Sequence, residues 1–323
     1  MTDSSFRSAL FSKDRQTCQK FLSQNLGSSL IQILNDLLFC SVSVEQSSVK
    51  GLHPVCVMNS IKNLIGDDRD NPSKPLLEFS IKYLCGFDFR SNDKTQLDKV
   101  VRDGIGLTAF LGDLEDACQI GQWDDVQILG SKTFMASDQS RGTMDVLAEL
   151  GLQDSDRNAV FIFHLLRAFQ FQETKDDNWA FTKCILDWMN DKSLPEPHDE
   201  TDSSPNAIHD LMIESGDVSL LSSVSRLWDG DYVRIRGYRR ELSHWCTQVI
   251  VSVSGLEPYP HHWLLNKEKR RFILEAETIV GSEKSQSEKV NALVILEAVR
   301  ALSETATQTQ LEILGTRVDQ FLL

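Results

Sequence analysis

Apolar residues along this chain recur at steps of three and four and almost nowhere at steps of two. That spacing is the period of an α-helix with one buried face. Leu311, Leu314, Val318, Phe321 and Leu322 fall on one such face, and Val290, Leu293, Val294, Ala298 and Ala301 on another. The best strand candidate, Val249 to Val253, continues a helical stretch that begins near Tyr238, and β-branched residues lower helix propensity by only tenths of a kcal/mol. It is read as helix. With 8 prolines and 17 glycines in 323 residues, the chain is also poor in the punctuation a β-rich fold needs. The expected class is all-α, an array of antiparallel helical hairpins. No period of about 34 to 45 residues recurs, so a regular repeat solenoid is not expected.

Local signals place the helices over 14–25, 28–40, 54–65, 75–85, 95–103, 107–120, 123–134, 141–150, 156–173, 177–190, 206–215, 218–227, 231–253, 266–280, 284–303 and 306–322. Pro54 and Pro75 suit a first helical turn, where a missing N–H costs nothing, and Ser73 can cap the second of these. Gly66, Gly121, Gly151, Gly216 and Gly281 stand where helices end. The stretch Asn190 to Asn206 holds three prolines, several acids and serines, and Leu194 as its sole large apolar residue. Such a composition predicts a solvated linker or long loop over 191–205. It divides the chain into an N-terminal helical domain, 1–190, and a C-terminal one, 206–323.

Charge and cysteines bound the function. A formal net charge of -14 disfavours phosphate-driven nucleic-acid binding and basic docking on membranes. No apolar run has the length of a membrane span, and Met1 to Arg15 lack a signal-peptide core. The seven cysteines are scattered, with no Cys-x-x-Cys pair, which reads as reduced core thiols in a cytoplasmic protein. Dinucleotide fingerprints, P-loops, nucleophile elbows, His-Glu-x-x-His and EF-hand loops are all absent, and no cofactor or metal is expected.

Candidate site residues are therefore few. His53 precedes Pro54 in Leu52-His53-Pro54-Val55-Cys56, at a helix start. It reads either as a core histidine satisfied by a carbonyl or as a neutral base or donor. His164 lies mid-helix in Val160-Phe161-Ile162-Phe163-His164-Leu165. Phe161 and Ala168 occupy the positions where a metal partner would stand, so it is a core or groove histidine or a second site residue. Arg234, Arg236, Arg239 and Arg240 form the main basic feature, read as an anion or partner patch or as ion pairs with the acid surplus. The last three can share a helical face. His261 and His262 are adjacent and diverge on a helix, His198 falls in the linker and is expected in solvent, and the Phe161, Phe163, Phe169, Phe171 stripe reads as core.

The run Leu52-His53-Pro54-Val55-Cys56-Val57-Met58-Asn59-Ser60-Ile61-Lys62-Asn63-Leu64 resembles the histidine-bearing helices of questin oxidase-like proteins. The resemblance covers these 13 residues, with His53 in the histidine position. It implies an α-helical oxidoreductase acting on an aromatic or polyketide-like substrate, with His53, and His164 as the other candidate, in its pocket. That is the alternative; the leading expectation, from the helical hairpins and the absent catalytic motifs, is a soluble binding or scaffold protein. Its C-terminal apolar stripe would either dock on the body or pair with a protein partner or a second copy.

Overall fold

A computed structural model describes residues 5–104, 111–190, 194–250 and 261–322. Its helices are α1 (Ser5–Phe11), α2 (Arg15–Val42), α3 (Pro54–Ile65), α4 (Lys74–Leu84), α5 (Asp93–Asp103), α6 (Leu111–Gln119), α7 (Trp123–Ala136), α8 (Gly142–Gly151) and α9 (Ser155–Gln170). They continue with α10 (Asn178–Met189), α11 (Pro205–Ser215), α12 (Val218–Trp228), α13 (Ile235–Gln248), α14 (His262–Leu265), α15 (Lys269–Gly281), α16 (Gln286–Ser303) and α17 (Gln308–Leu322). Among the described residues the sole β-pairing is an isolated antiparallel bridge between Val44 and Phe89. The fold is all-α.

Helix starts follow from capping chemistry. Ser73 accepts from the Leu76 N–H and Asp217 from the Leu220 N–H, while Ser285 and Glu288 form a reciprocal capping box. Each satisfies an amide that the helix leaves without a partner. Of the five glycines expected at helix ends, Gly121 and Gly216 take left-handed φ. Gly216, at φ +93°, donates its N–H to the Met212 carbonyl and turns the chain from α11 into α12.

Some boundaries differ from those expected. The helices predicted over 14–25 and 28–40 are one helix, α2, interrupted at Ser29 (φ −131°) where Gly27, Ser28 and Ser29 weaken helix propensity. The helix predicted over 231–253 is α13, which starts at Ile235 and stops at Gln248. Val249 is extended with ψ 112°, as suits the stiff side chains of a β-branched run; residues 251–253 lie outside the described ones, as do 107–110 of the helix predicted there. Two short elements, α1 and α14, carry too few residues for a period to register. Phe6, Ala9 and Leu10 nevertheless seat α1 in the core.

At the centre, helices distant in sequence pack together alongside sequential pairs. The buried helix α3 packs against α2, α9 and α16, and α12 packs against α9 and α16. Contacts between α3 and α9 join His53 to Phe161, Asn59 to His164 and Lys62 to Phe171, so the pairs advance in the same direction along both chains. Elements from before and after the expected linker thus share one apolar core. The described part of the segment expected as a linker or long loop is mostly exposed and is tied to the body at a few points. Leu194 is buried, Gln119 donates to the Pro195 carbonyl at 2.5 Å, and Thr201 makes two 3.0 Å hydrogen bonds with Ser243 of α13. Its short polar side chains satisfy polar groups of α13, so it docks without burying much apolar surface.

The C-terminal stripe is turned inward: Leu311, Leu314 and Val318 are buried where α17 meets α11, α14 and α16. The side chains of Phe321 and Leu322 lie outside the described residues. Arg317 of the same helix donates to the Ile213 and Glu214 carbonyls at the end of α11, where a cation also meets the negative end of the helix. No helix among the described residues is long and apolar enough to cross a membrane.

Candidate functional site

His53 is the N-cap of α3, as Pro54 requires. Its Nδ1 accepts the Val55 N–H at 3.2 Å, so that nitrogen is unprotonated and Nε2 carries the hydrogen. Nε2 lies 3.6 Å from Cys184 Sγ. The Phe161 and Trp188 rings stand edge-on to the imidazole, at 5.1 and 5.9 Å. The ring forms one wall of a pocket of about 380 Å³ that also holds Cys56, Phe161 and Trp188. Burial pushes the Cys184 thiol up to about 12, so the pair is not a thiolate–imidazolium dyad.

His164 does not line that pocket. It is buried on α9, with the Asn59 amide nitrogen 2.8 Å from Nδ1. Burial holds its pKa down to about 3; Glu297 opposes this, and Arg226 and Lys62 add to it. The ring is neutral at pH 7. The two histidines are therefore neighbours on one helix pair at different levels, and His164 lines neither the His53 pocket nor the groove described next.

The polar centre of the molecule lies beyond His164. Glu297, on α16, is fully buried and binds Arg226 of α12 through both oxygens, at 2.6 and 2.9 Å. Asn63 of α3 donates to the same carboxylate at 2.8 Å. Burial alone would raise the Glu297 pKa, but Arg226, with help from His164 and Asn63, holds it at about 2. The Arg226 guanidinium lies 3.9 Å from the Phe163 ring centre. One turn on, Arg300 of α16 grips Asp67 through two nitrogens, one of them at 2.6 Å.

These groups form one side of a groove of about 910 Å³. Leu30, Ile31 and Leu34 of α2 supply an apolar wall, with Phe163, Phe171 and Leu302. Ile31 is exposed there, at 57 % of its surface. Into this groove faces Lys62, 9 % exposed. Its Nζ lies 5.3 Å from the Phe171 ring centre and meets no carboxylate among the described residues. Burial, reinforced by Arg167, Arg226 and Arg300 and opposed by Glu297, lowers its pKa to about 8. Arg167 also lines the groove; its hydrogen-bond partner is the neutral Gln170 amide at 2.7 Å. Lys62, Arg226 and Glu297 were not among the residues singled out from the sequence. For Lys62 and Glu297 the signal was present: each charge interrupts an apolar face, as the histidines do; Arg226 stands among Ser222, Ser223 and Asp229 and gives no such signal.

The arginine cluster is mostly occupied by acids. Arg234 binds Glu149 and, at 3.1 Å, Glu115; Arg240 binds Glu149 at 3.1 Å and Glu241 at 2.7 Å. Gly237 makes this possible, since a Cβ there would stand 2.2 Å from the Glu149 carboxyl. Arg236 is exposed and lines a pocket of about 360 Å³ with Arg234, Arg240 and Glu149. Arg239 donates to the Trp228 carbonyl at 2.9 Å.

His198 and His261 are tied down. His198, expected in solvent, bonds Glu241 at 2.7 Å through Nδ1 and stacks on His244 at 3.8 Å. His261 bonds Asp319 at 2.8 Å. All seven cysteines are buried thiols, and no three His, Cys, Asp or Glu among the described residues are grouped to hold a metal ion. Compared with protein-family models, characterised proteins and solved structures, the chain matches none.

Proposed function

We propose that the protein binds a small molecule in the groove between α2, α3, α9, α12 and α16. The observation that carries this reading is the groove itself: about 910 Å³, with one apolar wall and convergent charged groups opposite. That combination suits an organic ligand of ordinary size. The floor is anchored by the Glu297–Arg226 pair, so its geometry is fixed before a ligand arrives. A thermal-shift screen of a metabolite library against the full chain tests the proposal, with the Ala301→Trp variant, which fills the groove, in parallel. A compound should raise the Tm of the wild type and leave the variant unmoved. A library without such a compound, or one whose hits act equally on both proteins, would defeat it.

A second reading, a helical oxidoreductase centred on His53, is favoured by one observation. The imidazole lies on a pocket wall beside Phe161 and Trp188, surroundings suited to an aromatic substrate. It expects turnover of aromatic, polyketide-type substrates that is lost in His53→Asn, a change that keeps a helix-capping oxygen. Unchanged turnover in that variant, or none in the wild type, removes it.

A further inference from the structure

At the inner part of the central groove Lys62, Arg226 and Arg300 meet Glu297 and Asp67, with the exposed Arg167 at its edge, and their pairing leaves a remainder. Glu297 is taken up by Arg226 and Asp67 by Arg300. Lys62 and Arg167 have no carboxylate partner among the described residues. The other acids lining the groove, Asp229, Asp231 and Glu304, are exposed, as are Arg69 and Arg167. Water screens such rim charges strongly, so they do little for an ammonium nine-tenths removed from solvent. A cation buried without a counter-charge is costly, and the Phe171 face compensates it only in part. The apolar wall of Leu30, Ile31 and Leu34 stands in the same groove.

We propose that the groove's ligand is an organic oxyanion, a phosphate or carboxylate group on an apolar body, whose charge is matched by Lys62 and Arg167 while its body lies against α2. This rests on the groove being a binding site, and it adds the chemical class. Arg226 and Arg300 keep their own carboxylates and strengthen the positive field without needing to release them. Inorganic phosphate alone binds weakly, since it leaves the apolar wall uncovered. Lys62 carries its proton below about pH 8 and faces Arg167, Arg226, Arg300 and Glu297. Affinity for an anion whose own charge is constant therefore falls as pH rises through 8.

Isothermal titration of the full chain with phenyl phosphate, benzoate, inorganic phosphate and neutral benzyl alcohol tests the assignment. Phenyl phosphate or benzoate should bind at least tenfold more tightly than benzyl alcohol and than inorganic phosphate; the stronger of the two identifies the head group. Lys62→Met and, at an exposed position that spares the core, Arg167→Gln should each weaken that anion at least tenfold and leave benzyl alcohol unchanged. Benzoate affinity should fall several-fold between pH 7 and 9 in the wild type and stay level in Lys62→Met. Equal binding of benzyl alcohol and the anions overturns the oxyanion assignment and leaves the groove reading standing. No anion binding at millimolar concentration also overturns the assignment, while the Ala301→Trp screen judges the groove separately. Unchanged anion affinity in both charge variants overturns it as well.

Discussion

Lys62 occupies a position where an aliphatic side chain would pack better. Its stem lies in the core, its ammonium has an aromatic ring and three cations within electrostatic reach, and one carboxylate opposes them. Lys62→Met keeps the stem volume and removes the charge, so it is expected to raise stability at pH 7 by about 1–3 kcal/mol. The sign with pH follows from linkage. The ordinary lysine value of 10.5 falls to about 8 in the folded protein. Between those values the unfolded chain binds more protons, and wild-type stability from this group rises with pH. The advantage of the variant is full below pH 8 and shrinks towards pH 10.5. Urea unfolding of both proteins at pH 7 and pH 10 checks this; a variant less stable than wild type at pH 7 contradicts it. The residue was legible in principle. Val55, Met58, Lys62 and Ile65 share a stripe of α3, and Glu297 sits on the stripe of Val290, Leu293, Val294 and Ala301. Histidines drew notice because they are rare. The same test of a polar group on an apolar face, applied to lysine and glutamate, marks the groove.

At the level of elements, helix ends were more readable than helix partners. A cap is a contract between residues two or three apart, so His53-Pro54 and Ser73 announce their helices from local sequence alone. His53→Ala removes the acceptor for the Val55 N–H and is expected to cost about 1–2 kcal/mol; His53→Asn restores a capping oxygen and recovers about half of it. Thermal unfolding of the three proteins measures the difference. Equal loss in both variants would mean that packing against Phe161 and Trp188, not the cap, is what His53 contributes. The contacts of the loop over 194–204 are illegible for the converse reason. Its docking depends on Ser243 and Glu241, more than 40 residues away in sequence, and its own composition contains no trace of them. The end of α13 was misjudged because Val249 carries the apolar rhythm of a helix in a residue type content in extended backbone.

Across the whole molecule, one carboxylate connects three long-separated segments. Glu297 of α16 holds Arg226 of α12 and Asn63 of α3, and Arg226 in turn lies over Phe163 of α9. Nothing local predicts that junction, because it depends on which apolar faces find one another. Replacing it exposes how the halves depend on each other. Glu297→Gln leaves a guanidinium facing a neutral amide, and breaking a buried pair costs about 3–5 kcal/mol. Arg226 keeps 26 % of its side chain in water, which places the expectation near about 3 kcal/mol. Acid should act on the same centre. The Glu297 pKa is about 2 against an ordinary 4.5. Its stabilisation is therefore complete above pH 4.5 and lost as pH falls towards 2, because the unfolded chain takes up the proton first. His164, at about 3 against 6.5, adds a loss of the same sign between pH 6.5 and 3, since the unfolded imidazole binds the proton that the buried one refuses. Both act over the interval from pH 6.5 to 2, so the wild type should lose stability continuously through it. Glu297→Gln should start lower at pH 7 and fall less steeply below pH 4.5, and His164→Gln should flatten the upper part of the curve. Circular dichroism melts from pH 7 to pH 3 read all three slopes. Parallel curves for wild type and Glu297→Gln would show that this carboxylate does not hold the three segments together.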